Sequence, residues 1–140
     1  MAKSASRRKL AKQSYVALAD FRYALRVFFA FSEKAAGEAG LSPQQYQALL
    51  AIKGTGDGRE LGIRDLAERL MIRHHSAVEL VDRLQANGFV TRTRSKTDGR
   101  RVHVRLTEKT ERVMEALEAA HLREHKGIRP VLEHLMAQFD

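Results

Sequence analysis

Apolar side chains recur at helical spacing through the first part of the chain. Ser14 could cap a long helix that runs to about Glu38. Its apolar residues are Ala17, Leu18, Phe21, Ala24, Leu25, Val27, Phe28, Phe29 and Phe31. At about 100° per residue these positions cover roughly 200° of the helix circumference, about twice the stripe of a one-sided surface helix. We therefore expect this helix to pack against its own domain and against a second subunit. The alternative is a central helix in a monomeric core.

Three signals in the next segment agree on the start of a second helix. Ser42 is a good N-cap, Pro43 suits the first helical position, and Gln45 completes a capping box with Ser42. Gly54 is expected to end this helix.

A helix-turn-helix is predicted between residues 63 and 88. Its first helix has apolar residues at i, i+3, i+4 and i+7, namely Ile63, Leu66, Ala67 and Leu70. Residues 71–73 form the turn. A second helix then runs from His74 or His75 to Ala86, with the inward residues Ala77, Leu80, Val81 and Leu84. Asn87 and Gly88 tolerate a left-handed backbone and should close it.

Two strands are predicted after the helix-turn-helix, at 89–94 and 101–106. In the second strand, Val102, Val104 and Leu106 alternate with Arg101, His103 and Arg105, so one face meets the core and the other is cationic. Asp98-Gly99 is a strong signal for a tight turn between the strands. Residues 60–62 are expected to add a short strand to this hairpin.

A last helical region is predicted from Thr107 and Glu108 onwards. Gly127 and Pro130 lower helix propensity, so we expect a break or kink there. The apolar residues beyond it are Val131, Leu132, Leu135, Met136 and Phe139. A stripe this apolar is expected to pack against a partner subunit.

Charge is concentrated in two places. The 140-residue chain has a formal net charge of +8. Residues 1–12 hold five cations and no acid, and residues 90–105 hold six cations against Asp98, so the rest of the chain is slightly acidic. We read residues 1–12 as a flexible basic tail and residues 13–140 as a single domain. The basic hairpin and tail point to a polyanionic partner.

Several classes of function are disfavoured. The chain has no cysteine, which excludes disulfides and thiolate zinc sites. No apolar run reaches the roughly 20 residues of a membrane span, and no apolar signal core follows the basic N-terminus, so a cytoplasmic protein is expected. No catalytic constellation stands out, so an enzyme is not expected. His121 and His125, with His134 as a possible third ligand, lack a companion carboxylate, and we predict no metal site.

The second helix of the helix-turn-helix and the hairpin supply the candidate DNA contacts. In the helix they are Arg73, His74, His75, Ser76, Glu79 and Arg83. Arginine, histidine and serine can serve base edges or phosphates, and Glu79 could accept from a cytosine amino group. The alternative for Glu79 is an ion pair with Arg83 at i+4. In the hairpin the candidates are Arg92, Arg94, Lys96, Asp98, Arg100 and Arg101. Arg100 at the turn would suit a narrow minor groove, with Asp98 orienting it.

These residues resemble the MarR family of bacterial regulators. The likeness is carried by residues 65–70 (DLAERL), 81–90 (VDRLQANGFV), 98–101 (DGRR) and 106–109 (LTEK), in matching order and spacing. The resemblance implies a mainly α fold with a small β-hairpin wing. A winged helix-turn-helix, about 43–107, would be flanked by dimerisation helices, about 14–39 and 108–139. It also implies a homodimer on a pseudo-palindromic operator, and in many members a small phenolic or anionic effector that releases DNA.

The leading hypothesis is a sequence-specific double-stranded DNA-binding transcriptional regulator. The resemblance implies a ligand-responsive repressor that acts as a homodimer on its operator. Two alternatives stay open. One is a sequence-tolerant architectural DNA- or RNA-binding winged-helix protein, in which the wing and tail dominate. The other is a protein-interaction module that has lost DNA binding, against which the retained cations argue.

Overall fold

The computed structural model describes residues 10–55, 60–94 and 101–138. In these ranges the helices are α1 (Lys12–Glu38), α2 (Pro43–Lys53), α3 (Ile63–Leu70), α4 (His74–Ala86) and α5 (Glu108–Ala137). The strands are β1 (Leu61–Gly62), β2 (Val90–Arg94) and β3 (Val102–Leu106). The predicted mainly α fold with a small hairpin wing and the order of its elements are confirmed. The described residues fall into two compact units, one within residues 32–119 and one within residues 1–31 with 120–140.

The start of α2 forms as its sequence predicts. The Gln45 backbone N–H donates to Ser42 Oγ at 3.1 Å, and the Ser42 N–H donates to Gln45 Oε1 at 3.0 Å. Pro43 is the first helical residue, and Gly54 is the C-cap. Two otherwise unsatisfied N–H groups are thereby paired at the helix start, which fixes where α2 begins.

The helix-turn-helix packs its apolar stripes into the core of the 32–119 unit. Leu66 and Ala67 of α3 are buried, as are all four predicted inward residues of α4. The turn has a feature that the periodicity did not indicate: Met71 has a φ of 55° and is 92% exposed. Its N–H donates to carbonyls of the last turn of α3, so a left-handed residue ends that helix although it is not a glycine.

The three strands form an antiparallel sheet in the order β1-β3-β2. Leu61 lies opposite Val104, and Val90 lies opposite Leu106. Val90 and Val104 are buried, so one face of the sheet joins the core. The expected short strand at residues 60–62 is confirmed for Leu61 and Gly62.

Tyr46 links α2 to α5 inside the 32–119 unit. Its hydroxyl donates to Glu118 Oε1 at 2.6 Å. Burial, reinforced by the bond to Glu118, raises the pKa of Tyr46 well above the ordinary value for tyrosine. Lys53 also pairs with Glu111 between the same two helices, at a more exposed position.

The other unit, residues 1–31 with 120–140, contains an aromatic cluster. His121 is 2% exposed and meets Phe28 and Phe31 edge-on, with ring centroids 5.8 and 5.4 Å away. His125 lies 4.6 Å from the Phe28 ring centroid. These two histidines are packing partners of phenylalanine, and no group of three or more metal-type ligands occurs among the described residues.

Two expectations about helix bounds were wrong. Helix α1 begins at Lys12, so Ser14 lies in its first turn and does not cap it. Helix α5 is not broken at Gly127 or Pro130, and Pro130 lies inside it. Proline removes one backbone bond, but residues 122–127 are exposed, so the freed carbonyl can be hydrated. Beyond Pro130 the side chain of Leu135 is buried, and its packing favours continuation of the helix.

Candidate nucleic-acid interface

Helix α4 presents a polar face opposite its buried stripe. His74, His75, Glu79 and Arg83 are exposed, Ser76 is half-buried, and Arg73 is the exposed N-cap residue. Every predicted contact of this helix is therefore at least partly accessible to a ligand. Hydrogen-bond donors lie at the start of the helix, and the carboxylate of Glu79 follows about one turn later. Such a face can offer hydrogen bonds to base edges in a major groove.

The intrahelical alternative for Glu79 does not form in the structure. No ion pair joins Glu79 to Arg83 among the residues that are described, and both side chains face solvent. The ion pairs that the described part of the chain contains involve other residues of the 32–119 unit and Arg129 with Glu133. The carboxylate of Glu79 thus keeps its capacity to accept a hydrogen bond from outside.

Arg92 faces helix α4 instead of pointing freely outward. Its Nη2 pairs with Asp82 Oδ1, and its Nη1 donates to Gln85 Oε1. Only 27% of its side chain is exposed, compared with 57% for Asp82. A guanidinium fork of this kind fixes the angle between strand β2 and helix α4. The sequence suggested Arg92 as a phosphate contact, and it contained no local signal for the roles of Asp82 and Gln85.

Strand β3, the second strand of the wing, is held by contacts with Glu60. Glu60 contacts both His103 Nδ1 and the Arg105 guanidinium. The antiparallel pairing of β1 with β3 explains this, because it places Glu60 beside the two residues that flank Val104. Since a carboxylate can only accept, His103 donates through Nδ1. Arg92 and Arg105, both among the hairpin cations that the structure describes, are therefore engaged with protein carboxylates.

The remaining wing candidates divide between described and undescribed residues. Arg94 ends β2 opposite Val102 and is exposed. Arg101 is also exposed and lies immediately before β3, where it has a partner of its own. Lys96, Asp98 and Arg100 lie outside the described residues, so the assignment of Arg100 to a minor groove stays a prediction.

The segments 81–90 and 106–109, which carry part of the family resemblance, meet at the end of α4. Thr107 Oγ1 donates to Gly88 O at 2.8 Å, and Thr110 Oγ1 donates to Phe89 O at 2.8 Å. Lys109 Nζ donates to Asn87 O at 3.2 Å and lies 5.0 Å from the Phe89 ring centroid. The start of α5 thus satisfies the carbonyls that follow α4. These contacts anchor the end of helix α4 at the point where the wing begins.

In the described part of the chain, no helix has the length and apolar character that crossing a membrane requires.

Part of the chain is similar to bacterial regulators in sequence. Residues 39–101 match a sequence model described as the MarR family. The uncharacterized HTH-type transcriptional regulator YfiV of Bacillus subtilis (strain 168) is 33% identical over 84 residues, which are 59% of this chain and 51% of that protein. The chain spans about half the length of the curated relatives it matches.

Solved structures extend the likeness over more of the chain. The transcriptional regulator PA4135 is 26% identical with a TM-score of 0.66, covering 89% of this chain and 88% of that one. NadR in complex with 4-hydroxyphenylacetate is 24% identical with a TM-score of 0.69, over 81% of this chain and 79% of that one. At that identity, the second likeness concerns the fold alone. The relatives with a named role are transcriptional regulators and not enzymes, in line with the expectation from the sequence.

Proposed function

We propose that the chain is a member of the MarR family and a sequence-specific regulator of transcription that binds a pseudo-palindromic operator as a homodimer. The observation that carries the proposal is the polar, accessible N-terminal half of α4, which has Arg73, His75 and Ser76 at its start. Two such helices would lie in successive major grooves about one turn, roughly 34 Å, apart. Repression would follow where the operator overlaps a promoter.

Base reading and phosphate binding are assigned to different parts of the interface. His75, Ser76 and Glu79 lie on the accessible face of α4, where side chains can reach base edges. Arg94 lies on the wing, where a cation would neutralise a phosphate without regard to sequence. Replacing a helix residue should therefore change preference between sequences. Replacing a wing cation should weaken binding to all of them.

The homodimer is supported by the apolar surface of the unit formed by residues 1–31 and 120–140. Large side chains that are 40% or more exposed there are Leu10, Tyr15, Val16, Tyr23, Val27, Phe29, Leu122, Leu132 and Met136. Monomeric soluble proteins rarely leave so many large apolar groups together in water. A second copy of the chain, with the same surface, would cover them by a twofold arrangement.

An effector of the phenolic class is also part of the proposal. A groove of about 340 Å³ between α1 and α5 is lined by Tyr23, Val27 and Phe28, with the carboxylates of Asp20 and Glu124 at its edge. A neutral phenol could donate its hydroxyl to either carboxylate, whereas an anion would be repelled. Of the two effector classes that the family resemblance implies, this groove favours the neutral phenolic one. Because Tyr23 and Val27 also belong to the exposed apolar surface, a ligand there would influence subunit pairing.

Selection of bound sequences from random duplex DNA tests the proposal. A palindromic motif with half-sites one helical turn apart is the expected result. His75→Ala should shift the selected motif, and Arg94→Ala, as the matched wing variant, should keep the motif and lower affinity for every sequence. Binding without any enriched motif would instead support a sequence-tolerant architectural protein. No retention of duplex even at low salt would support an interaction module without DNA binding.

A further inference from the structure

We propose that Glu60 is a positioning residue that sets how strongly the protein prefers its operator over other duplex DNA. It does so by withholding Arg105 from phosphates and by holding strand β3 beside the helix-turn-helix. The inference rests on the proposed function and deepens it. Glu60 acts through the side chains of the wing, and it touches neither a base nor a phosphate itself.

Glu60 uses both oxygens of its carboxylate on one strand of the wing. Its Oε2 accepts a hydrogen bond from His103 Nδ1, and its Oε1 pairs with Arg105 Nη2. His103 and Arg105 are two positions apart in β3, so they project from the same face of the strand, opposite to the buried Val104. One carboxylate placed against that face therefore engages both side chains. The side chains of Glu60 and His103 are only 26% and 13% exposed as a result.

The backbone beside Glu60 leads directly into the helix-turn-helix. Leu61 and Gly62 form β1, and helix α3 begins at the next residue. These two residues pair with β3. A strand of two residues is shorter than the usual range, so its backbone bonds alone hold a partner strand weakly. The contacts of Glu60 add a side-chain connection between the wing and the start of α3, all within the 32–119 unit.

Arg105 remains accessible to an external anion although it is paired. Its side chain is 60% exposed, and it lies on the outer face of β3. A phosphate and a carboxylate bind a guanidinium in the same geometry, so a DNA phosphate would have to displace Glu60. While the ion pair is formed, the two opposite charges largely cancel outside the protein. Arg105 is thus a cation of the wing that Glu60 makes unavailable.

The two effects of Glu60 act differently on operator and on other DNA. A free Arg105 would add a phosphate contact to either complex, because phosphates carry no sequence information. A loose wing would cost affinity only in the operator complex, where the wing and α4 must be in register at the same time. Loss of Glu60 should therefore favour non-operator DNA on both counts or leave it unharmed. Operator binding would gain a contact and lose preorganisation, so the preference between sequences should fall.

The experiment compares two variants that change the net charge equally. Full-length wild-type protein, Glu60→Gln and Glu68→Gln are titrated at several salt concentrations into two fluorescent duplexes. One duplex carries the motif selected from random DNA, and the other carries the same bases in scrambled order. Glu68 is the matched control, because it is an exposed glutamate of α3 that forms no ion pair with any described residue. Only Glu60→Gln releases a wing cation.

The measured quantity is the salt slope, the slope of the logarithm of affinity against the logarithm of salt concentration. In Glu60→Gln the slope for the scrambled duplex should steepen by about 0.9 per bound protomer, because one freed guanidinium reaches a phosphate. The preference for the selected motif should fall by about two- to five-fold, which is the range of one exposed ion pair. Glu68→Gln should leave the slope and the preference as in the wild type.

Variants of Arg105 test the same ion pair from its other side. Because Glu60 holds the guanidinium in the wild-type protein, Arg105→Gln should leave the salt slope unchanged. The double variant Glu60→Gln/Arg105→Gln should lose the steepening that Glu60→Gln shows. Circular dichroism during heating verifies that each variant is folded. If Glu60→Gln does not fold, the slope of Arg105→Gln decides by itself.

Failure of the proposal and failure of the proposed function give different results. An unchanged slope in Glu60→Gln, or an equal change in Glu60→Gln and Glu68→Gln, would overturn the role of Glu60 and leave DNA binding intact. A shallower slope in Arg105→Gln would also overturn it, because Arg105 would then contact a phosphate in the wild-type protein. A wild-type protein that binds both duplexes equally, or neither, would instead overturn the sequence-specific function.

Discussion

The contact of Arg92 with helix α4 predicts that this arginine orients the wing and does not bind phosphate. Its partners are Asp82 and Gln85, and the side chains of the ion pair are 27% and 57% exposed. A pair that is this accessible contributes about 0.5–1 kcal/mol, because water screens it. Arg92→Gln and Asp82→Asn should each destabilise the protein by about that amount. The double variant should be no worse than either single one, which gives a coupling energy of about 0.5–1 kcal/mol.

Urea unfolding of the wild-type protein, the two single variants and the double variant measures this coupling energy. Duplex titrations then test what Arg92 does in the complex. In Arg92→Gln the wing is no longer held against α4, so affinity for the duplex should fall by up to about five-fold, the equivalent of about 1 kcal/mol. The dependence of binding on salt concentration should not change. The control is Arg94→Gln on the same strand, which should lower the slope by about 0.9 per protomer. A coupling energy near zero together with a fall in slope for Arg92→Gln would refute this reasoning and restore Arg92 as a phosphate contact.

Three further predictions concern stability. Leu84→Ala in the core should cost about 2–5 kcal/mol in urea unfolding, because the fully buried side chain leaves a cavity; a cost below 1 kcal/mol would contradict its position. Burial and Glu118 raise the pKa of Tyr46, so the folded state keeps a proton that the unfolded chain releases. Stability should therefore fall as the pH rises above about 10, and Tyr46→Phe should lessen that fall in unfolding measured against pH. Gly88→Ala should destabilise by about 1–2 kcal/mol, since Gly88 has a φ of +76°. Gly127 lies in a helix with open space around it, so Gly127→Ala should stabilise the protein by about 0.5–1 kcal/mol. If both glycine variants changed the free energy of unfolding in the same direction, the backbone conformations of Gly88 and Gly127 would be contradicted.

Local patterns of the sequence were enough to predict the elements of the winged helix-turn-helix. The capping box at Ser42, the turn after Leu70 and the hairpin that follows Gly88 all depend on residues within a few positions of each other. The short strand at Leu61 was also expected, as an addition to the hairpin. Periodicity correctly indicated which side of α4 is buried, since core burial imposes that period directly.

Helix continuity and bounds depended on forces outside the local pattern. Propensity at Gly127 and Pro130 favoured an interruption of α5, yet the helix continues to Ala137. Propensity is a weak determinant when one face of a helix is packed and the other is hydrated. The same limit applies to the start of α1, where a plausible cap at Ser14 did not set the first residue.

The amino-acid sequence by itself determined the order of the elements, the buried faces of α3 and α4 and the basic character of the wing, because each depends on neighbours in the chain. Only the tertiary structure decided which charges are available to a ligand. Strand pairing places Glu60 against His103 and Arg105, and the angle of the wing places Arg92 on Asp82. Ion pairing across many residues of sequence depends on register and on crossing angles, which no local spacing encodes.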